Sequence, residues 1–311
     1  MARYRNRLPQ LDDDAILLTD SGMETDLIFH EGFDLPLFAS FVLLDDDKGA
    51  HALRNYYLRH IQVAQEAKTG FLFEAVTWRA SIDWARQLGH DQESVADINR
   101  RAVDLGVVLR EETGEKSGPF VISAPIGPRG DAYNPGHLMS PDEAEEYHSA
   151  QIRVLAGTEA DLVTAFTVTY TAEAIGMVRA AASHAIPVVI SFTLETDGRL
   201  PTGSSLEEAI AEVDGATDMA PAYYGINCVH PTHFMDVLDG AWTRRIKLIR
   251  ANASRLSHAE LNESKELDDG DPEELGAEYA ALRRRQRQIN ILGGCCGTDV
   301  RHVRSIAMAT S

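Results

Sequence analysis

The stretch 291–298, ILGGCCGT, joins a short apolar run to two glycines and two adjacent cysteines. It comes last in a series of short runs rich in apolar and β-branched residues, which we interpret as eight strands. Because these runs are almost continuously apolar, each strand is expected to be buried on both faces, as in a parallel sheet. The predicted strands lie near 16–22, 70–77, 119–127, 160–168, 186–193, 223–229, 244–253 and 289–295.

Segments with a helical pattern separate the predicted strands. One begins at Ser140-Pro141-Asp142-Glu143, which combines a capping box with proline at the first helical position. Eight β–α alternations predict a (β/α)8 TIM barrel, with the whole chain, 1–311, as a single domain. A doubly wound open sheet is the alternative, but the chain lacks a glycine-rich nucleotide loop. The other predicted helices cover 49–68, 92–113, 172–184, 205–220, 233–238, 272–286 and 300–309.

The composition excludes several classes of partner. The 311 residues include 29 Lys and Arg against 48 Asp and Glu, a net charge of −19. This acidity argues against nucleic acid or an acidic membrane, since both require a basic surface. Neither a secretory signal nor an apolar run of about 18 residues occurs, so no membrane span is expected. Three cysteines form no disulfide framework and predict a cytoplasmic protein. Composition leaves open whether the chain forms homo-oligomers.

The three cysteines are predicted to meet at one end of the barrel. Cys228 lies near the end of strand 6, and Cys295 and Cys296 end strand 8. Alternate strands supply the same interior layers, so these two ends should converge on the rim where such barrels place their active sites. Neighbouring residues of a regular strand point to opposite faces. The nearby glycines would permit a sharp turn that directs both adjacent sulfurs inward, at positions 293, 294 and 297.

A metal site accounts for all three cysteines together. Zinc bound by three thiolates, with its fourth position open, fits them, and soft thiolates favour zinc over magnesium or calcium. Two other interpretations remain: buried thiols that only fill space, and a disulfide between Cys295 and Cys296 that leaves Cys228 unused. His230 is a candidate group beside the metal or a wall of the pocket, and His233 is expected to open the following helix.

The motif GGCCGT, with Asn227-Cys228 at the end of the sixth strand, resembles the zinc-dependent homocysteine S-methyltransferase family. The resemblance spans nearly the whole chain. It includes TDSGMET at 19–25, TWRAS at 77–81 and IGPRG at 126–130, which are similar to family motifs after the first three strands. The resemblance implies a (β/α)8 barrel in which Cys228, Cys295 and Cys296 bind Zn²⁺ and the thiol of homocysteine takes the fourth position.

The resemblance also implies residues that hold the substrate. Asp20 would contact its amino-acid end. The segment 165–170 departs from the family, which often has a Glu-Thr pair there that contacts the substrate ammonium. Glu24 or Glu195 would substitute for that carboxylate. No catalytic residue is expected beyond the zinc site, and the predicted substrate-binding residues are Asp20, Glu24, Thr77, Thr167 and Asn227.

The length of the chain narrows the choice of methyl donor. A corrinoid-binding or folate-binding domain has no room beside the barrel, so a small donor is expected: S-methylmethionine, S-adenosylmethionine or a betaine. Aromatic or carboxylate neighbours suit such a cation, and the candidates are Trp78, Tyr170, Glu195 and Asp197. Two other functions stay open. One is a non-catalytic zinc or thiol protein with His230 as the fourth ligand; the other is a zinc hydrolase, for which the sequence singles out no general base.

Overall fold

Eight short parallel strands, each buried along its whole length, pair in chain order and close into a barrel. The computed structural model describes residues 1–12, 14–264 and 266–310. Closure is made by β1, where Leu17 pairs with Gly70 on one side and with Ile291 on the other. The predicted TIM barrel is therefore confirmed, and the open sheet is wrong. The strands are β1 (Leu17–Leu18), β2 (Gly70–Glu74), β3 (Phe120–Ile126), β4 (Leu162–Val168), β5 (Val188–Phe192), β6 (Tyr223–Asn227), β7 (Ile246–Ala251) and β8 (Ile291–Gly294).

Helices surround the barrel and follow the predicted alternation. They are α1 (Met23–Thr25), α2 (Asp47–Ala67), α3 (Ile82–Gln87), α4 (Gln92–Thr113), α5 (Pro141–Ala156), α6 (Thr171–Ser183), α7 (Leu206–Ala216), α8 (His258–Glu263), α9 (Pro272–Arg285) and α10 (Val300–Thr310). The predicted capping box is present, since Ser140 Oγ accepts from the Glu143 amide and the Glu143 carboxylate accepts from the Ser140 amide. None of the described helices has the length and apolarity that crossing a membrane requires.

One predicted helix is wrong. The segment 233–238 is not helical; the chain leaves β6 through a 3₁₀ helix, Pro231–His233, and returns to β7 through a second, Ala241–Arg245. Gly240, with φ of 98°, reverses the chain between them. Phe234 and Leu238 are buried, and this apolar spacing resembles a helical turn in the sequence. Short helices such as α3 and α8 span too few residues for a periodic pattern to predict them.

The barrel interior changes from apolar to polar along the strands. A lower layer of side chains is apolar and includes Leu17, Leu72, Val121, Leu162, Val189, Tyr223, Leu248 and Ile291. Because strand residues alternate between faces, the residue two positions later lies on the same face. These later positions are occupied by buried polar groups or glycine: Thr19, Glu74, Ser123, Thr164, Ser191, Gly225, Arg250 and Gly293. Two residues further on, the inward positions reach the rim and include Asn227 and Cys295.

The close packing of α5 against α6 gives a test of the fold. A Cβ on Gly176 would lie 2.6 Å from the Glu145 nitrogen and 2.7 Å from the Pro141 oxygen, so Gly176→Ala must push the two helices apart. We expect the free energy of unfolding to fall by about 1–3 kcal/mol in urea denaturation. Gly215→Ala in α7 is the matched control, because a Cβ there meets open space. The control should gain about 0.4–1 kcal/mol, and equal losses in both variants would contradict the helix contact.

Candidate functional site

The structure brings the three cysteines together at the carboxyl ends of β6 and β8. Their Sγ atoms all lie within 4.8 Å of one another. Cys228 and Cys295, whose Cα atoms are 5.3 Å apart, form a disulfide, and Cys296 is a free thiol. The sequence left open a disulfide between the adjacent Cys295 and Cys296, but the disulfide in the structure joins Cys228 to Cys295. Within the described parts of the chain, no histidine or carboxylate joins this group of ligand atoms.

The local backbone explains how the sulfurs reach one place. Cys228 has φ of 55°, a left-handed conformation, and its amide donates to the Arg250 carbonyl at 3.1 Å. The Cys295 amide donates to the Ala251 carbonyl at 2.7 Å, which extends the β7–β8 pairing by one residue. Gly297, with φ of 78°, then turns the chain as predicted. Gly293 has a different role, because a Cβ there would collide with Thr19 Oγ1.

A buried ion pair lies beneath the cysteine turn. Arg250 Nη1 donates to Asp20 Oδ1 at 2.7 Å, and the Tyr56 hydroxyl donates to Asp20 Oδ2 at 3.2 Å. Arg250 Nε donates to the Gly294 carbonyl at 3.0 Å, and Nη2 donates to the Ser21 carbonyl at 2.8 Å. Both oxygens of Asp20 are therefore engaged by the protein itself. One indication of this pair is visible in the sequence, because Arg250 is a charged residue inside the apolar run of the seventh strand.

Glu24 is the acidic group associated with the free thiol. Ser40 Oγ donates to Glu24 Oε1 at 2.9 Å, and burial raises the pKa of this carboxyl. Burial, and after it the charge of Glu24, raises the pKa of the Cys296 thiol to about 11. Tyr133 OH lies 4.0 Å from Cys296 Sγ, and its ring centroid is 4.0 Å from that of His258. This thiol is protonated at neutral pH unless a cation replaces its proton.

The other three predicted substrate-binding residues form a hydrogen-bonded rim. Thr77 Oγ1 donates to the Pro125 carbonyl at 2.6 Å. The Thr167 amide donates to Asn227 Oδ1 at 3.0 Å, and Ser191 Oγ donates to the same oxygen at 2.7 Å. Thr167, with φ of 55°, shares the left-handed conformation of Cys228. Strain of this kind is held by surrounding contacts and is concentrated at functional sites.

The candidate donor-binding residues have differing surroundings. Trp78 Nε1 donates to Thr167 Oγ1 at 3.1 Å, while the Tyr170 hydroxyl accepts from the Met139 amide at 3.1 Å. Glu195 Oε1 lies 3.8 Å from His258 Nδ1. Asp197 is exposed in a turn, where its carboxylate accepts from the Arg199 amide.

His230 does not join the cysteines. Its Nδ1 lies 2.9 Å from Thr232 Oγ1, its Nε2 lies 3.4 Å from Glu278 Oε2, and burial lowers its pKa to about 4. Its side chain is buried between the β6–β7 connection and α9. It therefore forms part of the packing behind the rim.

Two ionisable residues at this end of the barrel have buried polar atoms without hydrogen-bond partners among the described residues. Neither carboxylate oxygen of Glu74 has a hydrogen-bond partner among the described residues, and burial raises its pKa to about 8. Arg79 is also buried, and its Nε and Nη1 atoms have no hydrogen-bond partner among the described residues. Glu74 lies within the second predicted strand and Arg79 follows it, but a sequence pattern does not reveal which polar atoms lack a partner.

A family model described as homocysteine S-methyltransferase matches residues 17–310. The chain belongs to the homocysteine S-methyltransferase family. It is a methyltransferase that acts on a small thiol acceptor, and the acceptor of the family is homocysteine.

Curated relatives match over almost the full length. "Homocysteine S-methyltransferase 4" of Zea mays is 23% identical over 94% of this chain and 88% of the relative. "Selenocysteine Se-methyltransferase" of Brassica oleracea var. italica is 23% identical over 93% of this chain and 87% of the relative.

Solved structures with the same fold include the homocysteine methyltransferase MmuM from Escherichia coli. Its metallated form has a TM-score of 0.75 and 18% identity, covering 98% of this chain and 99% of MmuM. Its oxidized form has a TM-score of 0.77 and 20% identity, and the match covers 99% of this chain and 100% of MmuM.

The Asp20–Arg250 pair predicts a large loss of stability when one partner is removed. Arg250→Met leaves the Asp20 carboxylate buried without its counter-charge, and we expect the free energy of unfolding to fall by about 3–5 kcal/mol. The double variant with Asp20→Asn should lose less than the sum of the two single losses in urea denaturation. Arg179→Met is the matched control, because its pair with Asp142 is exposed and contributes about 1 kcal/mol or less. If the double variant instead loses the sum of the two single losses in the free energy of unfolding, the two charges do not stabilise each other.

Glu74 predicts a dependence of stability on pH. Its pKa of about 8 in the folded protein lies above its value of 4.5 in a free chain. The folded protein therefore holds one more proton than the unfolded chain in that window, and the free energy of unfolding falls as pH rises. The slope approaches about 1.4 kcal/mol per pH unit. Glu74→Gln should flatten this fall and stabilise the protein at about pH 9, as measured by urea denaturation across pH. Glu212→Gln, on the exposed face of α7, should follow the wild type; an unchanged slope in Glu74→Gln would contradict the assignment.

Proposed function

We propose that the chain binds one Zn²⁺ through Cys228, Cys295 and Cys296 and transfers a methyl group from a small cationic donor to homocysteine, which gives methionine. The observation that supports this proposal is the meeting of three sulfurs within 4.8 Å at the rim of the barrel. We also propose that residues 1–311 form a single domain and that the protein acts in the cytoplasm, where cysteines stay reduced.

The donor set suits zinc. Reduction of the Cys228–Cys295 disulfide leaves three thiols in one place, and the pKa of the half-buried Cys296 thiol is raised to about 11. A divalent cation would replace the thiol protons, and soft sulfur ligands select zinc among the common divalent ions. Three protein ligands without a fourth are typical of catalytic rather than structural zinc. The metallated form of MmuM, which shares the fold, further supports a metal at this rim.

A structural or sensing zinc site is less well supported. Such a site requires four protein ligands, and His230 was the first candidate for the fourth. Its two ring nitrogens instead lie beside Thr232 and Glu278. A hydrolase has equally little support. It would need a general base at the metal, and no histidine or carboxylate of the described residues joins the three sulfurs.

The proposed acceptor has an alkyl thiol that is mostly protonated at neutral pH. When bound, zinc would supply the positive charge that converts this thiol to a thiolate. The acceptor sulfur then forms a bond to the methyl carbon, the bond from that carbon to the donor sulfur or nitrogen breaks, and the donor leaves as a neutral sulfide or amine. The thiol proton passes to solvent. The buried rim orients the reactants and excludes water.

We assign the substrate ammonium to Glu24. This carboxyl is electrostatically coupled to Cys296, and a bound ammonium would stabilise its ionised form. Asp20 is engaged by Arg250 and Tyr56, so it supports the cysteine turn and contributes charge from below. Thr77, Thr167 and Asn227 hold the rim in shape through their hydrogen bonds.

The donor is a small cation such as S-methylmethionine, S-adenosylmethionine or a betaine. Glu195 is the carboxylate best placed to attract it, because it lies at the rim beside His258, whose Nε2 hydrogen bonds to the Cys228 carbonyl at 2.6 Å. Trp78 and Tyr170 are less free than the sequence suggested, since each makes a hydrogen bond through its polar atom.

Metal analysis of cysteine variants tests the proposal. We expect about one zinc per chain in the reduced wild type, because the three thiolates form one site. Cys228→Ser, Cys295→Ser and Cys296→Ser should each lose most of the metal and at least about 100-fold in methyl transfer. Thr298→Ser is the matched control, since it keeps the hydroxyl that donates to the Cys295 carbonyl, and it should bind zinc as the wild type does.

X-ray absorption at the zinc edge separates the alternatives. Addition of homocysteine should increase the number of sulfur ligands from three to four. A zinc shell that contains a histidine nitrogen and does not change with homocysteine would contradict the proposed function and support a structural site.

A further inference from the structure

Arg79 is a buried cation held between two aromatic rings. Its guanidinium carbon lies 4.0 Å from the ring centroid of Trp78 and 3.6 Å from that of Trp84. The residue is only 7% exposed. Its Nε and Nη1 atoms are buried and have no hydrogen-bond partner among the described residues. The two rings therefore fix the plane of the guanidinium and leave the N–H groups of Nε and Nη1 unused.

This arrangement is costly unless an anion completes it. A buried charged donor without an acceptor loses its hydration and gains no hydrogen bond in return. Stacking on indole stabilises the cation but satisfies none of its N–H groups. Burial lowers the pKa of Arg79 to about 10, so it remains charged at neutral pH. No ion pair joins Arg79 to a carboxylate of the described residues; among acidic groups, Asp131 has the largest electrostatic influence on it.

Neighbouring residues link Arg79 to the rim that carries the cysteines. Trp78, one of its two stacking rings, hydrogen bonds to Thr167 at the rim. Tyr133, whose hydroxyl is 4.0 Å from Cys296 Sγ, lies within electrostatic range of Arg79. Glu24 acts electrostatically on both Arg79 and Cys296. Arg79, Glu24 and Cys296 thus place a cation, an anion and a thiol near one another. An amino-acid thiol carries a carboxylate that complements the cation and an ammonium that complements the anion.

We infer that Arg79 binds the α-carboxylate of the amino-acid substrate and is a specificity-determining residue of the site. The inference rests on the proposed function and extends it to the acidic end of the substrate. A carboxylate accepts from two N–H groups on one edge of a guanidinium at once, Nε with Nη2 or Nη1 with Nη2, which a lysine cannot reproduce. The stack with Trp78 and Trp84 presents that fork in a fixed direction, so little entropy is lost on binding. The carboxylate belongs either to the acceptor thiol or to an amino-acid donor.

Calorimetric titration of the reduced, zinc-loaded protein tests the inference without a methyl donor. The probes are L-homocysteine, 4-mercaptobutyrate, which lacks the ammonium, and 3-aminopropane-1-thiol, which lacks the carboxylate. Arg79→Gln should weaken binding of the first two by roughly 10- to 100-fold and leave the third within about twofold. Arg79→Lys should recover only part of the loss. Arg129→Gln is the matched control, because this arginine also stacks on an aromatic ring but is exposed and paired with Asp83; it should bind all three thiols as the wild type does.

A parallel titration with S-methylmethionine identifies the source of the carboxylate. If Arg79→Gln weakens S-methylmethionine and spares the thiols, Arg79 binds the carboxylate of the donor, which still supports the inference. Two results overturn the inference in a variant that melts at the wild-type temperature. In one, Arg79→Gln weakens all three thiols equally and leaves S-methylmethionine unchanged; in the other, no ligand is affected. Wild-type protein that binds none of the three thiols contradicts the proposed function, and the inference falls with it. Wild-type affinity retained in Arg79→Gln contradicts the inference alone.

Discussion

The buried ion pair between Arg250 and Asp20 is the interaction on which the rim depends. One guanidinium, carried by β7, contacts a carboxylate and a carbonyl that follow β1 and a carbonyl at the end of β8. The first and last strands of the barrel meet at this point, so the pair joins the two ends of the chain directly below Cys295. Desolvation makes such a pair costly, and it is stable only when every partner is present. The positions of the cysteines therefore depend on contacts made outside the candidate metal site.

The polar layer in the middle of the barrel has a second consequence for the rim. Glu74 and Arg250 both lie in it, and Asp20 and Glu24 lie above it, so four ionisable groups surround a region from which water is excluded. If all three carboxyls were ionised, the region would carry a net negative charge that opposes formation of thiolates. A Glu74 pKa near 8 keeps a proton on this carboxyl at neutral pH, and burial also raises the pKa of Glu24. The layer thereby limits the negative charge beneath the sulfurs.

The sequence predicted the strands better than the charged contacts, for a physical reason. Apolar runs of a parallel barrel have a local signature, and the parity of strands 6 and 8 was sufficient to bring Cys228 to Cys295 and Cys296. Helical periodicity failed at 233–238, where buried Phe234 lies in a turn and buried Leu238 in an irregular segment. Arg250 was not predicted, because its partner Asp20 is 230 positions away and a single sequence carries no record of that contact. Arg79 has no protein acceptor at all for two of its nitrogens among the described residues.

The departure from the family motif after β4 has an explanation in these charges. The segment 165–170 supplies no carboxylate, and Asp20 is engaged by Arg250. On the proposed assignment, Glu24 receives the ammonium and Arg79 the carboxylate. Both groups of an amino acid branch from one carbon, so the assignment requires Glu24 and Arg79 to lie close to each other. The charge of Glu24 acts on both Arg79 and Cys296, which supports this placement. Recognition of the acceptor would then be shared between the first and second βα connections, with the end of β4 limited to holding Asn227 through the Thr167 amide.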